Sequence, residues 1–312
     1  MIQVSDVGKV VGFGKERTAM PSLVPVAMLL CAIGLLAQPQ IVSPPLAEVR
    51  KSAEQGDAPA QYTIGRAYLL GLGVPEDTAE ALKWLRKAAE QGLVAAQYVL
   101  GLAYHEGEGV PQDDSEAARW IRMAAEQGHN SAQFLLGLSY HYGKGVPQDL
   151  AQAARWYRKA AEQGELGAQY NLGLMYDNGE GVTQDYVEAA RWYRKAAEQG
   201  NDSAQFSLGL KYNQGQGLTQ DYAEAARWFR KAAEQGNDPA QLMLGVLYET
   251  GLGVSQDYVE AHMWLNLAAS KSSGEAQRKR AEVRDRVAGK MTTQQLAEAQ
   301  RRAREWNPAT AK

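Results

Sequence analysis

The sequence is almost devoid of cysteine, and its only thiol lies in its one long apolar run. Among 312 residues there is a single cysteine, Cys31, inside the stretch from Ser22 to Ala37. A lone cysteine can form no internal disulfide, so the fold has to be stabilised by packing alone. Removal of that stretch would leave a chain with no thiol.

An excess of charge of either sign is also missing. The 33 Lys and Arg residues nearly balance the 36 Asp and Glu residues, which gives a formal net charge of −3. Proteins that bind nucleic acid through phosphate contacts carry a strongly basic domain or patch. We therefore predict no nucleic-acid partner.

The common catalytic signatures are absent as well. No Ser is followed by Lys three residues later, and neither Gly-x-Ser-x-Gly nor His-Glu-x-x-His occurs, which removes the usual serine-hydrolase and zinc-protease motifs. The Gly-x-Gly turns, such as that at Gly71 and Gly73, are not followed by the Gly-Lys-Ser/Thr of a phosphate loop. We predict that the protein is not an enzyme and has no catalytic residue, cofactor or metal.

The N-terminal 37 residues differ from the rest of the chain. Lys15 and Arg17 precede the apolar stretch, and a small residue, Ala37, ends it. This order is typical of a secretory signal peptide, although an uncleaved anchor is the alternative for a run that falls short of the ~20 residues needed to span a bilayer. We predict that residues 1–37 are a signal peptide or an N-terminal anchor. The protein is then periplasmic or secreted, or attached to the inner membrane by this segment alone.

What the sequence does contain is a repeat of 36 residues. An Ala-Gln pair recurs six times at this spacing, and a Trp follows at a fixed distance from each pair. The Ala positions are Ala60, Ala96, Ala132, Ala168, Ala204 and Ala240. Self-similarity at a fixed period of about 20–50 residues is the signature of a solenoid.

Each repeat contains two helical patterns joined by a Gly-rich turn. In the first repeat Ala60 and Ile64 lie one helical turn apart, as do Ala81 and Leu85. Asp77 and its counterparts precede the second helix as N-caps, with an acidic or amide residue three positions later that predicts a capping box. A glycine in the middle of every first helix costs about 1 kcal/mol relative to alanine and predicts a close approach of two helices.

These signals predict an all-α fold, namely an α/α superhelical solenoid of six 36-residue helix-turn-helix repeats with capping helices. Residues 38–56 are a linker and an N-terminal capping helix, residues 57–270 the six repeats, and residues 271–312 the C-terminal capping helices. Thr292 and Gln295 have the spacing of a capping box at the start of the last helix. Terminal repeats of a solenoid need a polar outer face, which such caps supply.

The repeat unit AQYNLGLMYDNGEGVTQDYVEAARWYRKAAEQG, residues 168–200, resembles the SEL-one-like repeat, a relative of the tetratricopeptide repeat. The resemblance covers residues 57–270 and implies a bacterial scaffold or adaptor that binds another protein or a peptide, with envelope, secretion, signalling or host-contact roles. A cysteine-rich branch implies the alternative function, a cell-envelope hydrolase or β-lactam-binding protein. The chain departs from that branch because no repeat contains a cysteine.

The repeats vary most on one face of the first helix. In the resembled superfamily the first helices line the concave side, and solenoids bind partners on extended concave surfaces. We predict a partner-binding groove there, with an apolar patch around Leu135, Tyr142 and Met175; the alternative is a face that binds nothing. The predicted groove residues are Val99, Glu106, Leu135, Ser139, Tyr142, Asn171, Met175, Asn178, Lys211 and Gln214.

One repeat position carries side chains that bind metals in other proteins. His105 and His141 occupy it, and it continues as Asp177, Asn213 and Glu249. Neighbouring helices pack about 8–10 Å apart, whereas zinc ligands lie about 2 Å from the metal. We therefore interpret the row as solvated helix ends, and we interpret the repeated Trp residues as core.

Overall fold

The computed structural model describes residues 45–270 and 273–308, and the predicted signal peptide or anchor lies outside these ranges. Within them the chain forms fifteen α-helices and no strand. The helices are α1 (Leu46–Glu54), α2 (Ala58–Leu70), α3 (Thr78–Glu90), α4 (Val94–Glu106), α5 (Asp114–Glu126), α6 (Asn130–Tyr142), α7 (Leu150–Glu162), α8 (Leu166–Asn178), α9 (Tyr186–Glu198), α10 (Asp202–Gln214), α11 (Tyr222–Glu234), α12 (Asp238–Thr250), α13 (Tyr258–Ser270), α14 (Gly274–Ala288) and α15 (Thr293–Glu305).

The helices pair as the repeats predict. The even-numbered helices α2 to α12 are the first helices of repeats 1 to 6, and the odd-numbered helices α3 to α13 are the second helices. The two helices of repeats 1, 2, 3, 5 and 6 pack on each other, and both C-terminal helices pack on α13. The predicted all-α solenoid of helix-turn-helix repeats is confirmed. In the described ranges no helix is long and apolar enough to cross a membrane.

The described chain comprises two compact units, residues 45–168 and the residues from 169 onward. At the start of the first unit, Ile64 and Trp84 form a small core to which α1 contributes Leu46 and Val49. At the end of the second unit, the C-terminal helices complete a larger core that includes Trp264, Leu265, Val283, Val287 and Ala303.

The predicted caps form, with one difference. The Asp77 carboxylate accepts from the backbone N–H of Glu80 at 2.9 Å, and the corresponding Asp residues of the later repeats cap their helices in the same way. Glu80, however, pairs with Lys83 at 2.9 Å, so its carboxylate serves a cation on its own helix. At Thr292 and Gln295 both halves of the predicted capping box are present.

The mid-helix glycines mark the predicted close approach of two helices. A Cβ atom at Gly209 would lie 2.6 Å from the ring of Phe229, and one at Gly65 would lie 2.7 Å from the side chain of Leu85. Real Cβ atoms do not come this close to other heavy atoms, so only glycine fits without displacing the second helix. The prediction from the glycine positions is confirmed.

The Gln of the Ala-Gln pair ties three helices together in several repeats. Gln133, at the start of α6, donates its side-chain amide to the Ala125 carbonyl at the end of α5, at 3.1 Å. Its carbonyl oxygen accepts from Gln163 at the end of α7, at 2.8 Å. The same pairing recurs between Gln61 and Gln91, 2.7 Å apart, and between Gln205 and Gln235, 2.8 Å apart. The two Gln residues of the motif are therefore a repeated structural link, which the sequence pattern did not reveal.

Candidate functional site

The residues predicted to line a groove in the first compact unit differ in their exposure. Val99 is buried. Glu106 and Ser139 are half-buried, and Leu135 is 9% exposed. Tyr142, at the end of α6, is 37% exposed and is one of the few large apolar side chains that reach solvent in the described chain. Ser139 and Tyr142 thus retain the exposure that the prediction requires, and Val99 does not.

In the second compact unit the predicted residues divide in the same way. Asn178 and Gln214 are exposed and Asn171 is half-buried. Met175 is 1% exposed and Lys211 is 5% exposed. The predicted apolar patch around Leu135, Tyr142 and Met175 therefore loses Met175, because the Met175 side chain is packed against protein.

Lys211 shows what that repeat position contacts. Its ammonium group forms a short ion pair with Asp177 of the preceding repeat. It also donates to the Gln216 side chain at 3.0 Å and lies 4.7 Å from the centre of the Tyr186 ring. The buried ammonium is thus paired with a carboxylate, an amide oxygen and an aromatic ring, so its burial is tolerated. Lys211 links repeat 5 to repeat 4 and is not part of an open groove.

The equivalent place between repeats 2 and 3 contains a cavity of about 50 Å³. Its polar lining residues are His105, Asp114, Ser139 and Lys144. Its apolar lining includes Leu102, Ala118, Ile121, Phe134, Leu135 and Leu138. Two of the predicted groove residues, Leu135 and Ser139, therefore meet at this cavity.

The cavity exists because three positions carry small or short side chains at once. Ser139 occupies the repeat position of Lys211, and Asp114 occupies that of Tyr186. Ala118 occupies the position at which repeat 1 has the buried Leu82. Where neighbouring repeats place at least one long side chain, this interface places none, so space is left between α4, α5 and α6.

The polar groups at the cavity form a small acidic cluster with one imidazole. Nδ1 of His105 lies 3.2 Å from the Asp114 carboxylate, and because a carboxylate only accepts, the proton belongs on Nδ1. Nε2 of His105 lies 4.0 Å from Oε1 of Glu106. That Glu106 oxygen is buried and accepts no hydrogen bond from the described residues.

Ser139, His105 and Asp114 are the residue types of an acyl-transfer triad, but their bonds differ from one. The Ser139 hydroxyl donates to the Leu135 carbonyl of its own helix at 3.0 Å. A nucleophilic serine requires its hydroxyl to donate to the imidazole instead. Ser139 therefore lacks the hydrogen bond that this chemistry requires.

Two of the five residues in the row of potential metal ligands, Asn213 and Glu249, are buried, so the interpretation as solvated helix ends is wrong for these two. The other three are half-buried. Glu249 is 5% exposed and accepts from Arg286 at 2.6 Å and from Lys290 at 2.9 Å. Burial alone would raise the Glu249 pKa, but these two cations outweigh it and the pKa is lowered. In the described ranges, no three His, Cys, Asp or Glu side chains converge as metal ligands.

The Trp residues are core, as predicted for this face of the second helices. Trp84, Trp120, Trp192, Trp228 and Trp264 are buried. Trp156 is half-buried, and the ammonium of Lys159 lies 4.1 Å from the centre of its ring. The ammonium group of Lys159 therefore covers a face of the Trp156 ring that would otherwise be open to a ligand.

Comparisons with known proteins place this geometry in a family. The Sel1 repeat model matches six segments, residues 58–93, 94–129, 130–165, 167–201, 202–237 and 238–273. The chain is 39% identical to c5321, a protective antigen of uropathogenic Escherichia coli with an SLR fold, at a TM-score of 0.72. That match covers 86% of this chain and 58% of the antigen.

A second solved structure is also similar. The chain is 40% identical to a Sel1 repeat protein from Oxalobacter formigenes, at a TM-score of 0.61, over 75% of this chain and 68% of that one. No curated protein matches the chain.

Proposed function

Because the chain belongs to the Sel1 repeat family, we propose that it is a non-enzymatic scaffold that binds another protein through the surface of repeats 2 and 3. Sel1 repeat proteins generally mediate protein–protein interactions and are generally non-enzymatic repeat scaffolds. The likeness to a protective antigen is consistent with a protein that acts by contact. It does not name the partner.

The observation that carries the location is the cavity between repeats 2 and 3. Interface hot spots are typically side chains that enter a pocket of the partner and are fully desolvated there. The cavity supplies such a pocket, with Leu135 and Ser139 in its wall. The exposed ring of Tyr142 follows Ser139 by one helical turn on α6 and adds the kind of aromatic contact that interfaces favour.

The test is an affinity capture from an envelope extract of cells that produce the protein, with the full chain as bait. The informative variant is Ser139→Met, which uses the residue that the chain itself carries at the equivalent Met175. We expect this variant and Tyr142→Ala each to reduce capture of a reproducible partner at least about tenfold, the range of an interface hot spot.

The matched control is Ser115→Met, the same substitution at an exposed position of α5 that does not line the cavity. It should leave capture unchanged. A partner retained in full by both Ser139→Met and Tyr142→Ala would show that repeats 2 and 3 are not the binding surface.

We further propose that residues 1–37 direct export and that the protein acts in the periplasm, outside the cell or at the inner membrane. The basic and apolar order of this segment supports the proposal. N-terminal sequencing of the protein purified from the envelope fraction tests it. A mature chain beginning near Gln38 indicates cleavage, an intact N-terminus in the membrane fraction indicates an anchor, and an intact chain in the cytoplasmic fraction contradicts export.

A further inference from the structure

The cavity between repeats 2 and 3 is the counterpart of a space that the chain fills with its own lysine elsewhere. Ser139, Asp114, His105 and Lys144 occupy the repeat positions of Lys211, Tyr186, Asp177 and Gln216. In repeats 4 and 5 the side chain of Lys211 crosses that space and its ammonium reaches Asp177. The internal repeat therefore shows that a lysine side chain fits the corresponding space in repeats 4 and 5.

The lining of the cavity suits a lysine stem, because the residues around its volume of about 50 Å³ are mostly apolar. Leu102, Ala118, Ile121 and Leu138 line the cavity and would cover such a stem.

The charges at the cavity complement an ammonium group. Asp114 and Glu106 bring two carboxylates to one imidazole, and one buried Glu106 oxygen accepts no hydrogen bond from the described residues. Lys144 is the opposing cation, and its side chain is exposed at the cavity. Glu106 follows the lining residue His105 and does not itself line the cavity, and with Asp114 it sets two carboxylates against the one lysine, Lys144.

We propose that this cavity is a binding site for a lysine side chain of the partner protein. The stem lies among the apolar residues between α4, α5 and α6, and the ammonium group pairs with the Asp114 carboxylate. The inference rests on the proposed function, because it specifies the chemistry of the partner that binds at repeats 2 and 3.

Lys144 provides a direct test of the proposed lysine site. At the equivalent position Gln216 accepts from the ammonium of Lys211 at 3.0 Å, whereas Lys144 can only repel an ammonium. Lys144→Gln reproduces the arrangement of repeat 5, so it should strengthen binding of a lysine. Damage to the fold would weaken binding, so stronger binding by this variant could not be explained by such damage.

The experiment is a methyl NMR titration of the full chain labelled at isoleucine methyl groups. The Cδ1 methyl of Ile121 lies in the cavity wall, and that of Ile64 lies in the core of repeat 1 and serves as the internal control. The probes are Nα-acetyl-lysine methylamide and its norleucine analogue, which differ in the charged group. We expect the lysine probe to shift the Ile121 signal saturably, with a Kd about tenfold lower than that of the norleucine probe, as for a charge-assisted hydrogen bond.

Two variants complete the test. Ser139→Lys places the chain's own lysine in the cavity, as at Lys211, and should abolish the shift, while Lys144→Gln should lower the Kd of the lysine probe severalfold. Equal binding of the two probes, no shift of Ile121 with either, or no gain from Lys144→Gln would overturn the inference. Loss of partner capture by Ser139→Met would still support the proposed function in that case, so the two failures are distinguishable.

Discussion

At the scale of single residues, the helix caps show how one position accepts several chemistries. The first helices of repeats 5 and 6 begin with Asn201 and Asn237, whose side-chain oxygens accept from a backbone N–H at 2.7 and 3.0 Å. Repeat 3 uses His129 instead, and its Nδ1 accepts from the Ala132 N–H at 3.2 Å. The imidazole also stacks on Tyr98, with 4.4 Å between ring centres. This cap works only while His129 is neutral, because a protonated imidazole has no acceptor.

We predict that His129 makes stability depend on pH. Burial lowers the pKa of His129 from its ordinary value of 6.5, so the unfolded chain binds more protons there than the folded chain. Its contribution is therefore complete above pH 6.5, falls as the pH drops towards the folded pKa, and levels off below it. Urea unfolding between pH 7.5 and 5 measures this loss.

His129→Asn is the control for that experiment, because it keeps a cap that the chain already uses at Asn201 and Asn237. Carboxylates also titrate in the lower part of this range, so the informative quantity is the difference between the two proteins. The free energy of unfolding of the original chain, relative to that of His129→Asn, should decrease as the pH falls. A difference that does not change with pH would contradict the assignment.

At the scale of helices, two repeated devices set the packing. The mid-helix glycine lets each second helix approach its partner, as Gly209 does for Phe229. The Gln pair then joins the end of one second helix to both helices of the next repeat, as Gln133 does with Ala125 and Gln163. The glycine thus sets the distance between two helices, and the Gln pair sets their register.

We predict that Gln133→Leu lowers the free energy of unfolding by about 2 kcal/mol, because it removes two hydrogen bonds of a buried amide, one to the Ala125 carbonyl and one from the Gln163 side chain, each worth about 1 kcal/mol. The measurement is the urea midpoint and slope of the variant. Gln300→Leu is the matched control, the same change at an exposed position of α15, and it should cost about 0.5 kcal/mol or less. Equal costs at the two positions would show that the link contributes no more than surface contacts do.

At the scale of the whole molecule, the C-terminal helices complete the last repeat. Val283 and Val287 of α14 and Ala303 of α15 are buried in the same core as Trp264. The Glu249 carboxylate, on the first helix of repeat 6, is held by Arg286 and Lys290 of the C-terminal segment. The C-terminal segment therefore packs apolar side chains against the core and carries charged side chains on its outer surface, as the end of a repeat array requires.

We predict that a chain ending at Ser270 loses the stability of its last repeat, since it exposes the core around Trp264 and leaves the buried Glu249 without cations. Amide hydrogen exchange in α12 and α13 should accelerate by orders of magnitude relative to the full chain. Arg302→Ala is the control, because Arg302 is exposed and its pairs with Glu260 and Glu298 are worth about 1 kcal/mol or less. Unchanged exchange in the truncated chain would show that repeat 6 needs no cap.

The periodic features of this protein were predictable because each is a local and repeated property of the chain. The 36-residue spacing, the Asp caps, the box at Thr292 and Gln295, and the close approach at Gly209 depend on neighbours a few residues away or one helix away. Except for the single box at Thr292 and Gln295, these features recur in the repeats, so the sequence displays each of them several times.

The cavity and the burial of Lys211 were decided only by the tertiary structure. The space between repeats 2 and 3 stays open because the side chains of Asp114 and Ala118 on α5 and of Ser139 on α6 are all short. These positions belong to two different repeats, so no local pattern in the sequence shows that they meet. The same repeat position holds Ser139 in a cavity wall and Lys211 in a buried ion pair. The sequence by itself therefore determined the repeat architecture, whereas volume and charge at each interface, and hence the candidate site, depend on how side chains from different repeats meet.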